Sequence, residues 1–327
     1  MLVHQRSARL FTGHSLQTLS SWPTSELEEL HQLGISHYRA ETPWQPDGAS
    51  WLQLKQLLAR RHLQDCDFCV HDCRVNRTLA PGGYCQLGAN SPYSGAYLHW
   101  GEEPQIRPTW AVFLGGCTMH CAYCHNWRDT FETRHQPVLT AHKWVQQLET
   151  QSQKEQYRTL SFIGGTPEPH LHTLLDCMQA LSTRPELAAP LVLNNNATLS
   201  DFGLDLMEGV VDIYVPDYKH GNNSCAFQLT KIGKYTQTIR KNLRRYREQK
   251  AGILVRHLPV PGHLECCTYP VLKDLAKWLP GVMVNVMLEY QPMYKAAGME
   301  GVNRVLSLEE KERVQRWVGE LGLKGCW

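Results

Sequence analysis

From Trp110 to Met287, short apolar runs alternate with longer amphipathic stretches. The runs are Trp110–Leu114, Thr159–Ile163, Pro190–Leu193, Val210–Val215, Gly252–Arg256 and Val282–Met287. Each has strand length and is nearly continuous in apolar residues, as strands covered on both faces of a parallel sheet are. Helix-like sequence follows each run, which makes six βα units. Six units fall short of a complete eight-unit barrel. The chain therefore reads as α/β with an open, partial (β/α)6 sheet. Ahead of it lies a different pattern. Ser25-x-x-Glu28 reads as a capping box, and Leu27, Leu30 and Leu33 then recur at helical spacing. Trp51, Leu54, Leu57 and Leu58 repeat that spacing. Residues 66–104 are rich in Cys, Gly and Pro and read as loop. These readings divide the chain into a helical lead-in with a cysteine-rich segment, 1–104, and a barrel, 105–327.

The polar residues follow the runs. Gly164-Gly165-Thr166-Pro167-Glu168-Pro169-His170 comes after the second, Asn194-Asn195-Asn196 after the third, and Pro216-Asp217-Tyr218-Lys219 after the fourth. Arg256 and His257 end the fifth; Asn285, Glu289 and Tyr290 belong to the sixth. Parallel βα folds build their sites at the C-terminal ends of the strands, so these loops should face one mouth. Asp217 and Lys219 are two apart at a strand end and so point to one face.

Composition narrows the class. The 327 residues are 42% apolar and 9% aromatic, enough for a packed core, and the net charge of +2 makes no case for nucleic acid as a partner. No apolar run approaches the ~20 residues of a membrane span. The first ten residues lack the apolar stretch of a signal peptide, so a cytoplasmic location is expected. There the 12 cysteines read better as metal ligands and buried thiols than as disulfides.

Three of those cysteines follow the first run, in Gly115-Gly116-Cys117-Thr118-Met119-His120-Cys121-Ala122-Tyr123-Cys124. Thiolates spaced x3 then x2 can wrap one face of an iron–sulfur cube and leave its fourth iron open to a ligand. A zinc site or three unrelated core thiols are the plainer readings. Zinc sites, however, usually pair C-x2-C with a second, distant pair.

This spacing, with an aromatic residue before the last cysteine, resembles the radical S-adenosylmethionine (SAM) superfamily. Residues 99–292 are similar to its pyruvate formate-lyase activating enzyme-like branch, in particular to members with a cysteine-rich N-terminal segment. The resemblance rests on His99-Trp100-Gly101-Glu102-Glu103-Pro104, Cys124-His125-Asn126-Trp127, the Gly164–His170 loop, Val211–Lys219, Val255–Leu258 and Val284–Pro292. Thr166 departs from it where many relatives carry an acid, and His125 where they carry glutamine. The resemblance implies a [4Fe–4S] cluster on Cys117, Cys121 and Cys124 whose open iron chelates SAM. One electron then cleaves SAM to a 5′-deoxyadenosyl radical, which abstracts hydrogen from a substrate. It also implies an electron donor such as flavodoxin or ferredoxin. Tyr123, Gly164, Gly165, Asn195, Asp217, Lys219 and Arg256 are the residues it places around SAM. The glycines would admit the methionyl group, and Arg256 would pair with a carboxylate or hold substrate.

Cys66-x2-Cys69-x3-Cys73-x11-Cys85 forms a separate four-ligand pattern in turn-forming sequence. Four cysteines close a tetrahedral zinc site or hold a second iron–sulfur cluster, and the spacing leaves both open. Cys177, Cys225, Cys266, Cys267 and Cys326 show no ligand spacing; Cys177 reads as core and Cys326 as an exposed thiol. The basic stretch Lys231–Lys250 reads as a barrel helix with a charged outer face, or else as a docking surface for an acidic protein. Three functions compete: hydrogen abstraction from a protein, as in installing a glycyl radical; modification of a small molecule or peptide; and a metal-stabilised binding module without catalysis.

Overall fold

The computed structural model describes residues 2–326, apart from the side chain of Cys326; the exposed thiol expected there lies outside the described residues. Eight strands form one sheet in sequential order: β1 Tyr93–His99, β2 Thr109–Leu114, β3 Thr159–Gly164, β4 Leu191–Asn195, β5 Ile213–Pro216, β6 Gly252–His257, β7 Met283–Val286 and β8 Lys324–Cys326. Strands β2 to β8 pair in parallel, and β1 runs antiparallel to β2. No pairing joins β8 to β1 among the described residues. The result is an open, partial barrel. All six apolar runs became strands. β1 and β8 were not foreseen: β1 is a mixed edge strand with one buried end, and β8 has three residues.

Helices cover the sheet after successive strands: Ala141–Ser152, Leu171–Ser182, Asp201–Met207, Asn223–Thr230, Tyr235–Glu248, Tyr269–Trp278 and Leu308–Glu320. Their apolar stripes meet the strands in one continuous core that includes Trp144, Phe162, Leu174, Leu193, Tyr214 and Val284. The helices Thr24–Ala40 and Trp51–His62 join that same core through Leu27, Trp51, Leu54 and Leu58. Lys55 is fully buried there, and its Nζ donates to the Asp205 and Leu206 carbonyls at 3.1 and 3.0 Å, capping the C-terminal end of Asp201–Met207. β1 thus lies in the sheet, and the core runs across residue 104. Ser25 also differs from its expected role. The helix begins at Thr24 behind Pro23, and the capping box sits instead at Ser50 and Gln53.

The basic stretch is a covering helix. Tyr235, Ile239, Leu243 and Tyr246 face inward. Arg240 pairs with Asp274 at 2.7 Å, Lys241 with Asp201 at 2.9 Å, and Arg245 with Asp205. Much of its charge is answered within the chain, which favours the barrel-helix reading over the docking surface.

Candidate active site

The loop after β2 carries Cys117 and Cys121, both buried, and Cys124, half-buried. It is anchored at many points. Gly115 N–H donates to the Pro92 carbonyl at 2.9 Å, and Gly116 N–H to Thr130 at 2.7 Å. His120 and Ala122 N–H donate to Thr230 and Leu229, at the end of Asn223–Thr230. His170 Nε2 bonds the Gly115 carbonyl at 2.7 Å, and its Nδ1 bonds Ser91 Oγ at 2.8 Å. Burial drives the His170 pKa down to about 3, so the ring stays neutral in this position. The Cys117 sulfur accepts from Met119 N–H at 3.3 Å and from Asn196 Nδ2 at 3.2 Å. Donors aimed at a sulfur suit a thiolate ligand. Burial pushes the Cys121 thiol up to about 12, with Lys219 opposing it; a bound cation reverses that balance and deprotonates the thiol outright.

Gly164 and Gly165 press the β3 loop onto this one. Gly164 has φ +112°, and a Cβ there would overlap the backbone of Leu114. A Cβ on Gly165 would overlap the Gly116 carbonyl oxygen. Sequence reasoning reserved this space for a ligand; the approach it permits here is of backbone to backbone. Gly164 does also line the mouth.

That mouth is a cavity of 670 Å³ at the C-terminal strand ends, lined by Tyr123, Gly164, Asn194, Asp217, Arg256 and Asn285 among others. Lys219 Nζ pairs with Asp217 Oδ2. Burial alone would lower the Lys219 pKa, but Asp217 and the Cys121 sulfur outweigh it and raise it. Arg256 Nε and a terminal nitrogen each donate to Glu103 at 2.7 Å, and the same nitrogen reaches Glu102. Asn285 Nδ2 donates to Glu103 at 2.6 Å. The guanidinium expected to meet a ligand's carboxylate thus meets two of the chain's own. Glu102 and Glu103, quoted from the sequence as motif letters only, are the counter-ions that reasoning missed.

Asn195 requires a correction. Its Nδ2 donates to the Leu193 carbonyl at 2.9 Å, and its Oδ1 accepts from Ala197 N–H at 2.6 Å and Tyr246 O–H at 3.1 Å. Strand alternation turns it toward the covering helix and gives its neighbour Asn194 to the cavity. Asn194 Nδ2 is buried with no hydrogen-bond partner, a donor left for an occupant of the mouth. Glu168 also points away from the mouth. Its Oε1 takes Asn196 N–H, Thr198 N–H and Thr198 Oγ1 at 3.0 to 3.2 Å, and Thr166 donates to Oε2.

The sequence profile of the Radical SAM superfamily matches residues 112–275, about half of the chain, from the second strand past the sixth. The chain belongs to the radical SAM superfamily. Uncharacterized protein MJ0674 of Methanocaldococcus jannaschii is 34% identical over 268 residues, which cover 80% of this chain and 76% of that one. Among solved structures, Streptococcus suis SuiB bound to S-adenosylmethionine is 13% identical with a TM-score of 0.48, over 64% of this chain and 47% of SuiB. A radical SAM methyltransferase from Sphaerobacter thermophilus is 12% identical with a TM-score of 0.48, over 96% and 94% of the two chains. A domain of pyruvate-formate lyase-activating enzyme from Bacteroides vulgatus is 16% identical with a TM-score of 0.40, over 51% of this chain and 96% of the domain. As a radical SAM enzyme the protein uses a [4Fe–4S] cluster and SAM, and it needs a reductant. No helix among the described residues is long and apolar enough to cross a membrane.

Beside the mouth of this radical SAM protein, the second cysteine set surrounds a small enclosed cavity lined by Cys66, Cys69, Cys73 and Cys85 together with Arg77 and Thr118. Tyr84 N–H donates to Cys73 Sγ at 3.3 Å. Arg77 is buried; its guanidinium donates to the Gly88 and Pro169 carbonyls at 2.8 Å and lies 3.7 Å from Cys66 Sγ. Burial raises the Cys69 and Cys85 thiols. The set adjoins the triplet loop: His71 Nε2 bonds the Thr118 carbonyl at 2.7 Å, and the rings of His71, Tyr84 and His120 stack in series, with centroids 3.6 and 4.4 Å apart. Of the remaining cysteines, Cys177 is buried in Leu171–Ser182. Cys225, Cys266 and Cys267, read from the sequence as unconnected, are brought together.

Proposed function

We propose that Cys117, Cys121 and Cys124 hold the cluster, and that SAM and substrate share the 670 Å³ mouth. A cluster held there and reduced by one electron from the donor would supply the electron that splits SAM into methionine and a 5′-deoxyadenosyl radical, which would abstract hydrogen from the substrate. The observation that carries this reading is the unpartnered Asn194 amide in a cavity beside three thiols, two of them buried and one half-buried. Asn194 Nδ2 donates to an acceptor on SAM. Asp217 accepts from its ammonium or hydroxyls, while Lys219 pairs with Asp217 and places positive charge near Cys121. Tyr123 forms the wall between the thiols and the mouth, held by its hydroxyl against His220 Nε2 at 3.1 Å. Arg256 holds Glu102 and Glu103 at the rim. Anaerobic reconstitution with iron and sulfide, followed by reduction in the presence of SAM, yields 5′-deoxyadenosine in this reading. A reconstituted protein that carries the cluster and yields none overturns it.

The likeness of residues 99–292 to the pyruvate formate-lyase activating enzymes supports a protein substrate whose glycine Cα–H is abstracted. The barrel left open between β1 and β8 gives a chain segment room to enter. A small molecule is the competing substrate. Perdeuterated cell lysate separates the two: deuterium in 5′-deoxyadenosine comes from the protein fraction in our reading and from the small-molecule fraction in the other. The Cys66, Cys69, Cys73 and Cys85 set is assigned a second iron–sulfur cluster. Its thiols ring one cavity, yet among the described residues they are not a set whose ligand atoms all come within 4.8 Å of one another. A single tetrahedral ion needs its thiolates closer together than a four-iron cube does.

A further inference from the structure

We propose a third metal site in this chain, a single-ion centre of the zinc type formed by Cys225, His263, Cys266 and Cys267. Cys225 opens the Asn223–Thr230 helix after β5, and the other three belong to the turn after β6, where His263 precedes the π-helical turn Leu264–Thr268. Their four ligand atoms all lie within 4.8 Å of one another, and this is the one such group of three or more among the described residues. Cys225 Sγ is 3.6 Å from Cys266 Sγ, and Cys266 Sγ is 3.5 Å from His263 Nδ1. A tetrahedral zinc with sulfur at about 2.3 Å and nitrogen at about 2.0–2.1 Å places its ligand atoms about 3.5–3.8 Å apart. A sulfur–sulfur bond is only about 2.05 Å, so the two thiols stand as two corners of a tetrahedron rather than as a disulfide. Three sulfurs and an imidazole, with no carboxylate in the group, suit zinc and not magnesium or calcium.

The surroundings support a built site. Asn222 Nδ2 donates to Cys225 Sγ at 3.2 Å and to the Cys266 carbonyl at 2.8 Å, and it lies 3.8 Å from Cys267 Sγ. Asn222 Oδ1 accepts from Cys225 N–H at 2.8 Å. One amide thus orients three of the four ligand residues, as outer partners of metal ligands do. Gly221 lets the two loops close: a Cβ there would come within 2.7 Å of the Cys267 carbonyl oxygen. Cys266 is exposed, which gives an ion a way in. On the inner side, Cys267 Sγ is 3.7 Å from His220 Nδ1, and His220 Nε2 holds the Tyr123 hydroxyl. The ion therefore ties the β5 loop to the β6 loop and fixes, through His220, the tyrosine that walls the mouth.

The test is independent of SAM cleavage and uses the full chain. Zinc and iron are counted in the purified protein and in the Cys225→Ser/Cys266→Ser variant. One zinc per chain is lost in the variant and iron is unchanged; equal zinc in the two proteins overturns the site. Because the double variant can misfold, the unaltered protein supplies a second arm. Cys266 is exposed, so burial cannot shield it from alkylation. It is protected in the purified protein and becomes reactive when a chelator strips zinc. Immediate alkylation without chelator, or protection relieved only by a reductant, overturns the proposal. Asn222→Ala, which removes no ligand, weakens zinc retention about 10- to 100-fold.

Discussion

The Cys117 triplet and the Cys66 quartet lie side by side, joined by the His71–Thr118 bond and the His71, Tyr84 and His120 rings, yet different things hold them in place. The triplet loop issues from a buried strand and is pinned by backbone bonds to Pro92, Thr130, Thr230 and Leu229. Its geometry is set by the barrel before any iron arrives. The quartet lies between the Trp51–His62 helix and β1, a stretch with no helix and no strand of its own. Cys66 and Val75 bond to each other's turn, Val70 N–H reaches Thr198 at 2.8 Å, and Arg77 gathers carbonyls. In the reading proposed above, such a segment is ordered by what its thiols bind, so that one site is a scaffold that receives a cofactor and the other a cofactor site that makes its own scaffold.

Several changes break or sharpen that contrast, beginning with the largest effect. Alanine at Cys117, Cys121 and Cys124 together abolishes 5′-deoxyadenosine formation while circular dichroism and melting of the barrel persist. Undiminished product would dismiss the triplet as the cluster site. Serine at Cys66, Cys69, Cys73 and Cys85 does the converse. Thermal stability or solubility falls, about four irons per chain disappear, and the iron of the triplet remains. Freely alkylated quartet thiols in a folded protein, with no change in iron, would mean no metal is held there. Smaller effects belong to the mouth. Asp217→Ala, Lys219→Ala and Asn194→Ala leave the cluster spectrum intact and weaken SAM binding about 10- to 100-fold, the cost of a charge-assisted contact; equilibrium binding that stays normal in all three variants refutes their assignment.

The remaining effect is a pH slope. His170 is neutral when folded, with its pKa driven down to about 3, whereas the unfolded ring titrates near about 6.5. Above that value both states are neutral and the slope is zero. Below it the unfolded chain takes up a proton that the folded ring refuses, so stability falls by about 1.4 kcal/mol per pH unit as acid is added, until the folded pKa is reached. His170→Gln flattens that dependence between pH 6.5 and 4 in urea melts. An unaltered slope would mean that His170 does not report on the triplet loop.

What could be read from the chain before folding follows the same division. Continuous apolar runs gave six strands because burial on both faces leaves no choice of residue. β1 was hidden because Tyr93–His99 alternates only in part, as an edge strand with one covered face does. The triplet was legible because its three ligands are neighbours in sequence. The Cys225 group was not, since 37 residues lie between Cys225 and His263 and only the closing of two loops joins them. Asn195 was chosen over Asn194 because a run of three identical residues carries no mark of which one the pleat turns inward. Arg256 was read as pairing with a ligand carboxylate or holding substrate because its partners, Glu102 and Glu103, sit more than 150 residues away.

The contact between Gly165 and the Gly116 carbonyl bears on how tolerance to substitution is interpreted. In a saturation library scored for activity, Gly165 would be as depleted of every alternative as Cys117. The two silences would have unrelated origins. In the proposed reading Cys117 is irreplaceable for what its sulfur binds, whereas Gly165 is so because two loops meet where no side chain fits. Pairing each activity score with a measure of folded protein abundance would tell the two apart, since Gly165 variants are lost from both while Cys117 variants persist as folded protein.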